Sequence, residues 1–448
     1  MTYCLWLTAF GLRGEGNGMA EFKAMKYGFF VHYAWDGHGG LTRDKNGQSL
    51  KSLDALADAF DVERFANELS AWQVEYVVFT AWHANINPLF PSETMKKWGL
   101  QDHYCKRDLL GEIIRALKAK GIKVLLYTHP RDGHDLSVAD EQKTGWGAGP
   151  KSSGNPKWET FDFKKWNDFM NDLYGELVDR YGDQIAGLYL DEGSAAGDSY
   201  RVVDYPRLRQ TIKAKHPNLL MVQNYYGTVY SCDIGDMEYH HWREFQNRDG
   251  GFWPAFRKPV TSCFATTWWG IRPAGTNTVV FSAEDMFRYT VLQAGVNTDG
   301  GGVQWAAGPY AGGGWETGVD DTMLKVASFI KPIAVSIKNV HASAAFPTRE
   351  EATLHSTNWG VTSVAWGVAT DAVDGSATYL HVLTPPKGKT LRLGMPTNSA
   401  AFISASDLIT GKAVGLQSDA AGYLVTLPED LSWDPLDTVI RLQAGPKK

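Results

Sequence analysis

The sequence predicts a parallel (β/α)8-type TIM barrel followed by a C-terminal antiparallel β-sandwich. Three observations predict it. Short apolar runs alternate with amphipathic segments of helical spacing over about 320 residues, the span that an eight-unit barrel with insertions requires. Successive apolar runs end on a histidine, an aromatic or a carboxylate, the residue types expected where barrel strands open into an active-site mouth. Beyond about Ala342 the texture changes to short alternating runs split by Gly, Asp, Asn and Pro, the mark of antiparallel strands.

Taken in order, the first strand runs from Lys26 to Trp35 and ends in His32, Tyr33 and Trp35. A helix from about Asp61 to Trp72 leads to a strand from Val74 to His83. Helix Asp108 to Lys120 precedes strand Lys123 to His129, and helix Lys165 to Tyr181 precedes strand Ile185 to Asp191. Helix Pro206 to Lys215 and strand Leu219 to Tyr225 follow. Less regular strands are expected near Met237 to Trp242 and Ser262 to Trp268. Ser282, with Asp285 three residues later, reads as the N-cap of a helix to Ala294, and a last helix spans Asp321 to Ile337. The Gly-rich stretch from Gly300 to Gly314 lacks the Gly-Lys-Ser/Thr of a phosphate loop. Ser363 to Val368, Tyr379 to Leu383 and Thr438 to Leu442 are strands of the second domain. The domains therefore divide as a barrel over 19–341 and a sandwich over 342–448. Residues 1–18 are an apolar extension or signal remnant without a basic n-region, and Met19 is an alternative start. A periplasmic or secreted location is slightly favoured over a cytoplasmic one.

A net charge of −6 argues against nucleic acid as the partner, because phosphate binding needs basic surface. No later run is long and apolar enough to span a membrane. Cys4, Cys105, Cys232 and Cys263 have neither zinc spacing nor the pattern of a disulfide framework. Seventeen Trp and nineteen Tyr suit the apolar faces of sugars or the lining of apolar pockets.

Asp191 is the lead catalytic candidate. It ends a buried strand, where a charge is costly to desolvate unless a site uses it; the competing reading is an N-capping or loop-bracing aspartate. His32, His83, His129 and Tyr225 end other strands on the same side of the barrel.

Several stretches together resemble the α-L-fucosidases, glycoside hydrolase family 29. Lys26-Tyr27-Gly28-Phe29-Phe30-Val31-His32-Tyr33 is similar to the family's KFGIFIHWG, and Lys106-Arg107-Asp108-Leu109-Leu110-Gly111-Glu112 to its KRDLVGE. Tyr76 to His83 resembles YVVLTAKHH, Gly121 to Tyr127 resembles GLKFGLYY, and Trp268-Trp269-Gly270 resembles SWGY. Leu190-Asp191-Glu192-Gly193 falls where the family has W-F-D-G, whose aspartate is the nucleophile. The resemblance spans nearly the whole chain in order. It departs at Trp82-His83-Ala84-Asn85, where the family has K-H-H-D, and at Asn224-Tyr225-Tyr226, where it has N-D-R. A site built on hydrogen bonds to hydroxyls changes its discrimination when such partners are lost, so the resemblance implies a rebuilt sugar pocket.

The implied chemistry is exo-acting, retaining glycoside hydrolysis of an oligosaccharide or polysaccharide ending in a fucose-like or galacto-configured sugar. It needs a nucleophile and an acid/base about 5–5.5 Å apart. Asp191 is the nucleophile. Glu238, flanked by aromatics that would raise its pKa, is the acid/base candidate, with Glu244 the alternative and Asp233 and Asp236 behind. Substrate contacts are expected from His32, Tyr33, Trp35, Trp82, His83, His129, Tyr225, Tyr226, Trp268 and Trp269. For any single Trp, core packing is the rival role. His240-His241 beside Glu238 and Asp236 is the rival metal reading, but without H-E-x-x-H no metal and no cofactor are expected. The other function class is a non-catalytic carbohydrate-binding protein on the same fold, and the oligomeric state is open.

Overall fold

The structure is a computed structural model that describes residues 17–35, 42–84, 86–131, 133, 136–147, 156–191, 199–224, 231–239, 260–264, 278–298, 300–347, 366–398 and 400–445. Eight strands of four to six residues close a parallel barrel in chain order. They are β1 (Tyr27–Val31), β2 (Tyr76–Thr80), β3 (Lys123–Thr128), β4 (Gly187–Leu190), β5 (Leu220–Asn224), β6 (Ile234–Tyr239), β7 (Val260–Phe264) and β8 (Val303–Ala306). The seam closes where β1 pairs with β8, Tyr27 beside Val303.

The pleat sorts each strand into two cores, because alternate residues point to opposite faces. Phe30, Val78, Leu125, Tyr127, Tyr189, Val222, Ile234 and Ala306 fill the barrel interior. The residues between them, such as Phe29, Val77, Phe79, Leu126, Leu188, Met221 and Trp305, pack outward under the helices. Both faces being buried explains why the strands read as near-continuous apolar runs.

Helices Val62–Ala71, Leu109–Ala119, Phe163–Tyr181, Tyr205–Lys215 and Ala283–Val296 cover the barrel, close to their predicted bounds. Each begins after an Asp or Ser whose side chain accepts a backbone N–H in the first turn: Asp61, Asp108, Asp162, Asp204 and Ser282. These caps satisfy amides that would otherwise be orphaned.

Three expectations are corrected. The helix predicted from Asp321 to Ile337 runs as Val319–Ile330, then breaks into a 3-10 turn at Lys331–Ile333 and a short helix at Ala334–Ile337. Pro332 lacks an N–H and its ring crowds the preceding turn. The sixth and seventh strands start at Ile234 and Val260, a few residues earlier than predicted. The eighth strand lies inside the Gly-rich stretch, where no strand was expected.

The C-terminal strands are β9 (Val340–Ala342), β10 (Gly367–Ala372), β11 (Ala377–Val382), β12 (Thr390–Leu393), β13 (Phe402–Asp407), β14 (Ala413–Asp419), β15 (Gly422–Thr426) and β16 (Thr438–Ala444). They pair antiparallel in the order β12-β15-β14-β13-β16-β11-β10-β9. β14 pairs with β13 through Ala413 and Val414, and with β15 from Gly415 onward. The sheet turns there, so Leu391, Leu393, Tyr423 and Val425 share one core with Leu380, Val382, Ile440 and Leu442, as in a sandwich. The opposite face meets the barrel: Val368, Tyr379, Leu383 and Val439 belong to the core beneath the barrel helices. Arg288, on helix Ala283–Val296, donates to the carbonyls of Leu383, Pro435 and Leu436.

Candidate active site

The parity that sends Tyr127 and Tyr189 into the barrel also sends His129 and Asp191, two residues further along each chain, toward its carboxyl-end mouth. Asp191 directly follows β4, and its amide donates to the Thr128 carbonyl at 2.9 Å. Both carboxylate oxygens are held. Asn224 Nδ2, at the end of β5, donates to Oδ1 at 2.7 Å. The Tyr127 hydroxyl donates to Oδ2, and His129 Nε2 lies 3.9 Å from that oxygen. The side chain retains 14% exposure, so a substrate can reach it.

Around Tyr127 the imidazoles form an aromatic wall. His32 meets its ring edge-on at 4.6 Å, and His83 stacks on it at 5.6 Å with planes 7° apart. His83 lies 5.3 Å from both His32 and His129 between ring centres. Beneath, Tyr189 stacks on Tyr127 at 5.7 Å and donates its hydroxyl to Asp236 Oδ2 at 2.6 Å. Gln304 Nε2, on β8, reaches the same oxygen at 3.2 Å. Asp236 is fully buried.

Burial drives the His32 pKa well below the ordinary histidine value, with His83 and His129 adding to the depression and Asp191 opposing it. The ring is therefore neutral at working pH, and its tautomer follows from its neighbour. Thr80 Oγ1 lies 3.3 Å from His32 Nδ1 and spends its one proton on the Val31 carbonyl at 2.8 Å. Thr80 thus accepts from Nδ1–H, which makes Nε2 the acceptor nitrogen of the ring.

The structure brings together Asp191, His32, His83 and His129 among the predicted residues. It turns others away. Tyr33 is fully buried on the outer face, donating to the carbonyls of Leu56 and Ala311 and packing on Phe60. Trp82 is fully buried edge-on to Tyr174, with Nε1 directed to the His129 carbonyl. Both follow the parity rule, lying one residue from an inward histidine. Trp35 is half-buried against the outer core. Asp233 is taken up at the amino end of β6, paired with Arg209 and Lys213 at 2.7 Å each. The backbone of Glu238 lies in β6 in register with Ser262, while its side chain is outside the described residues. Tyr225, Tyr226, Glu244, Trp268, Trp269, His240 and His241 are outside them too. Tyr127, Tyr189 and Gln304 also contribute, and for the two tyrosines the available signal is their even spacing from His129 and Asp191.

Such an arrangement suits attack by a carboxylate at a partly open mouth, over an aromatic and imidazole wall able to bind hydroxyls. Among the described residues no group of three His, Cys, Asp or Glu side chains is set to hold a metal ion. Among them, too, no helix is long and apolar enough to cross a membrane.

No curated protein matches the sequence. Solved structures do. An α-L-fucosidase of glycoside hydrolase family 29 from Bacteroides thetaiotaomicron is similar with TM-score 0.68 and 16% identity, over 96% of this chain and 98% of that one. α-L-Fucosidase isoenzyme 1 from Paenibacillus thiaminolyticus gives TM-score 0.62 and 19% identity, over 96% and 99%. The Thermotoga maritima α-fucosidase gives 0.59 and 15%, over 96% and 97%. At these identities the likeness shows the fold. The sequence model of the α-L-fucosidase family matches residues 49–287, more than half of the chain, and takes in Asp191, Asn224 and Asp236. On that match the chain belongs to the α-L-fucosidase family and is a glycoside hydrolase.

Proposed function

We propose that the protein is an exo-acting, retaining glycosidase that releases a terminal fucose-like or galacto-configured sugar from an oligosaccharide or polysaccharide. The observation that carries the reading is Asp191 at the end of β4, gripped by Tyr127 and Asn224 beside three histidines. In this mechanism Asp191 attacks the anomeric carbon while Glu238 protonates the glycosidic oxygen. Water, deprotonated by Glu238, then attacks the glycosyl-enzyme and releases the sugar with net retention. The Bacteroides neighbour was trapped as a covalent intermediate with 2-fluoro-fucosyl fluoride, which supports double displacement. Glu238 lies two residues beyond Asp236 in the sequence of β6. Trp82-His83-Ala84-Asn85 and Asn224-Tyr225-Tyr226, where the resemblance breaks, support a different or decorated deoxy- or galacto-configured sugar.

The test is a panel of aryl glycosides, with α-L-fucoside beside α- and β-galactosides, arabinosides and xylosides. The wild type is expected to cleave one class, and Asp191→Asn to lose about a thousandfold or more in kcat. NMR of the first-formed anomer then reports retention. Equal turnover by both proteins would remove Asp191 from the mechanism, and first release of the inverted anomer would remove double displacement. Glu238→Gln compared with Glu244→Gln on substrates with good and poor leaving groups assigns the acid/base.

A further inference from the structure

All exposed aromatic side chains among the described residues gather on one rim of the barrel. They are Trp158, Phe163 and Tyr200, exposed by 37%, 41% and 59%. Trp158 and Phe163 come from the segment after β3, the strand carrying Tyr127, and Tyr200 comes from the segment after β4, which leads into Asp191. Those segments rise from the carboxyl ends of the strands, beside the mouth. The rim stands on a buried aromatic spine. Trp158 contacts Phe161 at 5.8 Å, Phe161 contacts Trp146 at 6.1 Å, and Trp146 contacts Trp166 at 4.8 Å. Trp166 Nε1 then donates to the carbonyl of Pro130, the residue after His129, at 3.1 Å. Arg201, exposed, lays its guanidinium 4.2 Å over the Trp158 ring and has no carboxylate partner among the described residues.

We propose that Trp158 and Arg201 form a distal subsite for the leaving-group end of an acidic glycan chain, an inference that rests on the glycosidase reading above. Exposed aromatics grouped at the carboxyl-end rim of a barrel cost solvation unless a ligand covers them. An indole offers a rigid flat face to the C–H face of a sugar ring, here on the side that Arg201 does not cover. An arginine stacked on it brings a planar N–H fork, matched to a carboxylate or sulfate, beside the ring. Arg201 supplies at this rim the positive charge that an acidic chain needs. The substrate would then be a polymer that reaches from Asp191 to this rim.

The probe is a sulfated fucan beside its chemically desulfated form, in affinity electrophoresis with Asp191→Asn to prevent cleavage. The Asp191→Asn protein is expected to be retarded more strongly by the sulfated form. Adding Trp158→Ala should weaken that retardation by about tenfold, and adding Arg201→Met should abolish the preference for sulfate. Tyr200→Ala is the second rim variant, should Trp158→Ala disturb folding as judged by its melt. No retardation of the parent, equal retardation of the two polymers, or an unchanged Trp158→Ala would each overturn the proposal. So would a sedimentation shift from dimer to monomer in Trp158→Ala, which would make the rim a subunit contact. The glycosidase reading fails in a separate assay, the small aryl glycosides, so the two failures are distinguishable.

Discussion

At the scale of single residues, the site depends on where protons and donors sit. Tyr127→Phe removes the hydroxyl that holds Asp191 but keeps the ring against His32, His83 and Tyr189. We expect kcat to fall about ten- to a hundredfold, with a smaller change in KM, because the loss concerns aim rather than binding. Steady-state kinetics on the preferred aryl glycoside checks this. His32 gives a second expectation. Its folded pKa lies below the unfolded value of 6.5, so the unfolded chain binds the extra proton first. The stabilising contribution is whole above pH 6.5 and is lost as pH falls through the folded pKa. Urea unfolding at pH 7.5 and pH 5 should show that loss, and His32→Gln should reduce it. These residues were unequally legible in the sequence. His32, His83, His129 and Asp191 stand out as polar ends of apolar runs. Tyr127 and Tyr189 read as ordinary strand interior, since only register shows which hydroxyl meets which carboxylate. Tyr33 and Trp82 drew attention as aromatics beside histidines, and parity turned them outward.

At the scale of elements, close packing inside the barrel leaves specific positions no room. A Cβ on Gly28 would lie 2.2 Å from the Tyr76 ring, and that ring is tied down by its hydroxyl donating to the Gly301 carbonyl at 2.7 Å. Gly28→Ala should therefore cost about 1–3 kcal/mol, read from chemical denaturation. Ser282→Ala removes the acceptor for the Asp285 amide and should cost about 1 kcal/mol. The first five strands were legible because each is a buried apolar run, and β2 to β5 each follow a helix with a clear cap. β8 was not. Its four residues follow Gly300, Gly301 and Gly302, all at positive φ, so the local composition says turn and only pairing to β1 makes a strand. β6 was placed late because Asp233 and Asp236 read as loop, although Asp236 is paid for by Tyr189 and Gln304 inside the barrel.

At the scale of the molecule, barrel and sandwich share one apolar layer, so neither is expected to melt alone. Calorimetry should show a single transition, and two resolved transitions would mean that the layer is not binding them. Arg288→Ala strands three carbonyls at this junction and should cost about 1–3 kcal/mol, lowering Tm by a few degrees. The seam of the barrel has a further consequence, for the nascent chain. β1 leaves the ribosome before β8, and that strand, which covers its second edge, is made about 280 residues later. At roughly 5–20 residues per second, that edge waits about 15 to 55 seconds with its amides and carbonyls unpaired. Synthesis rate and temperature should therefore govern soluble yield more strongly than the stability of the finished fold does.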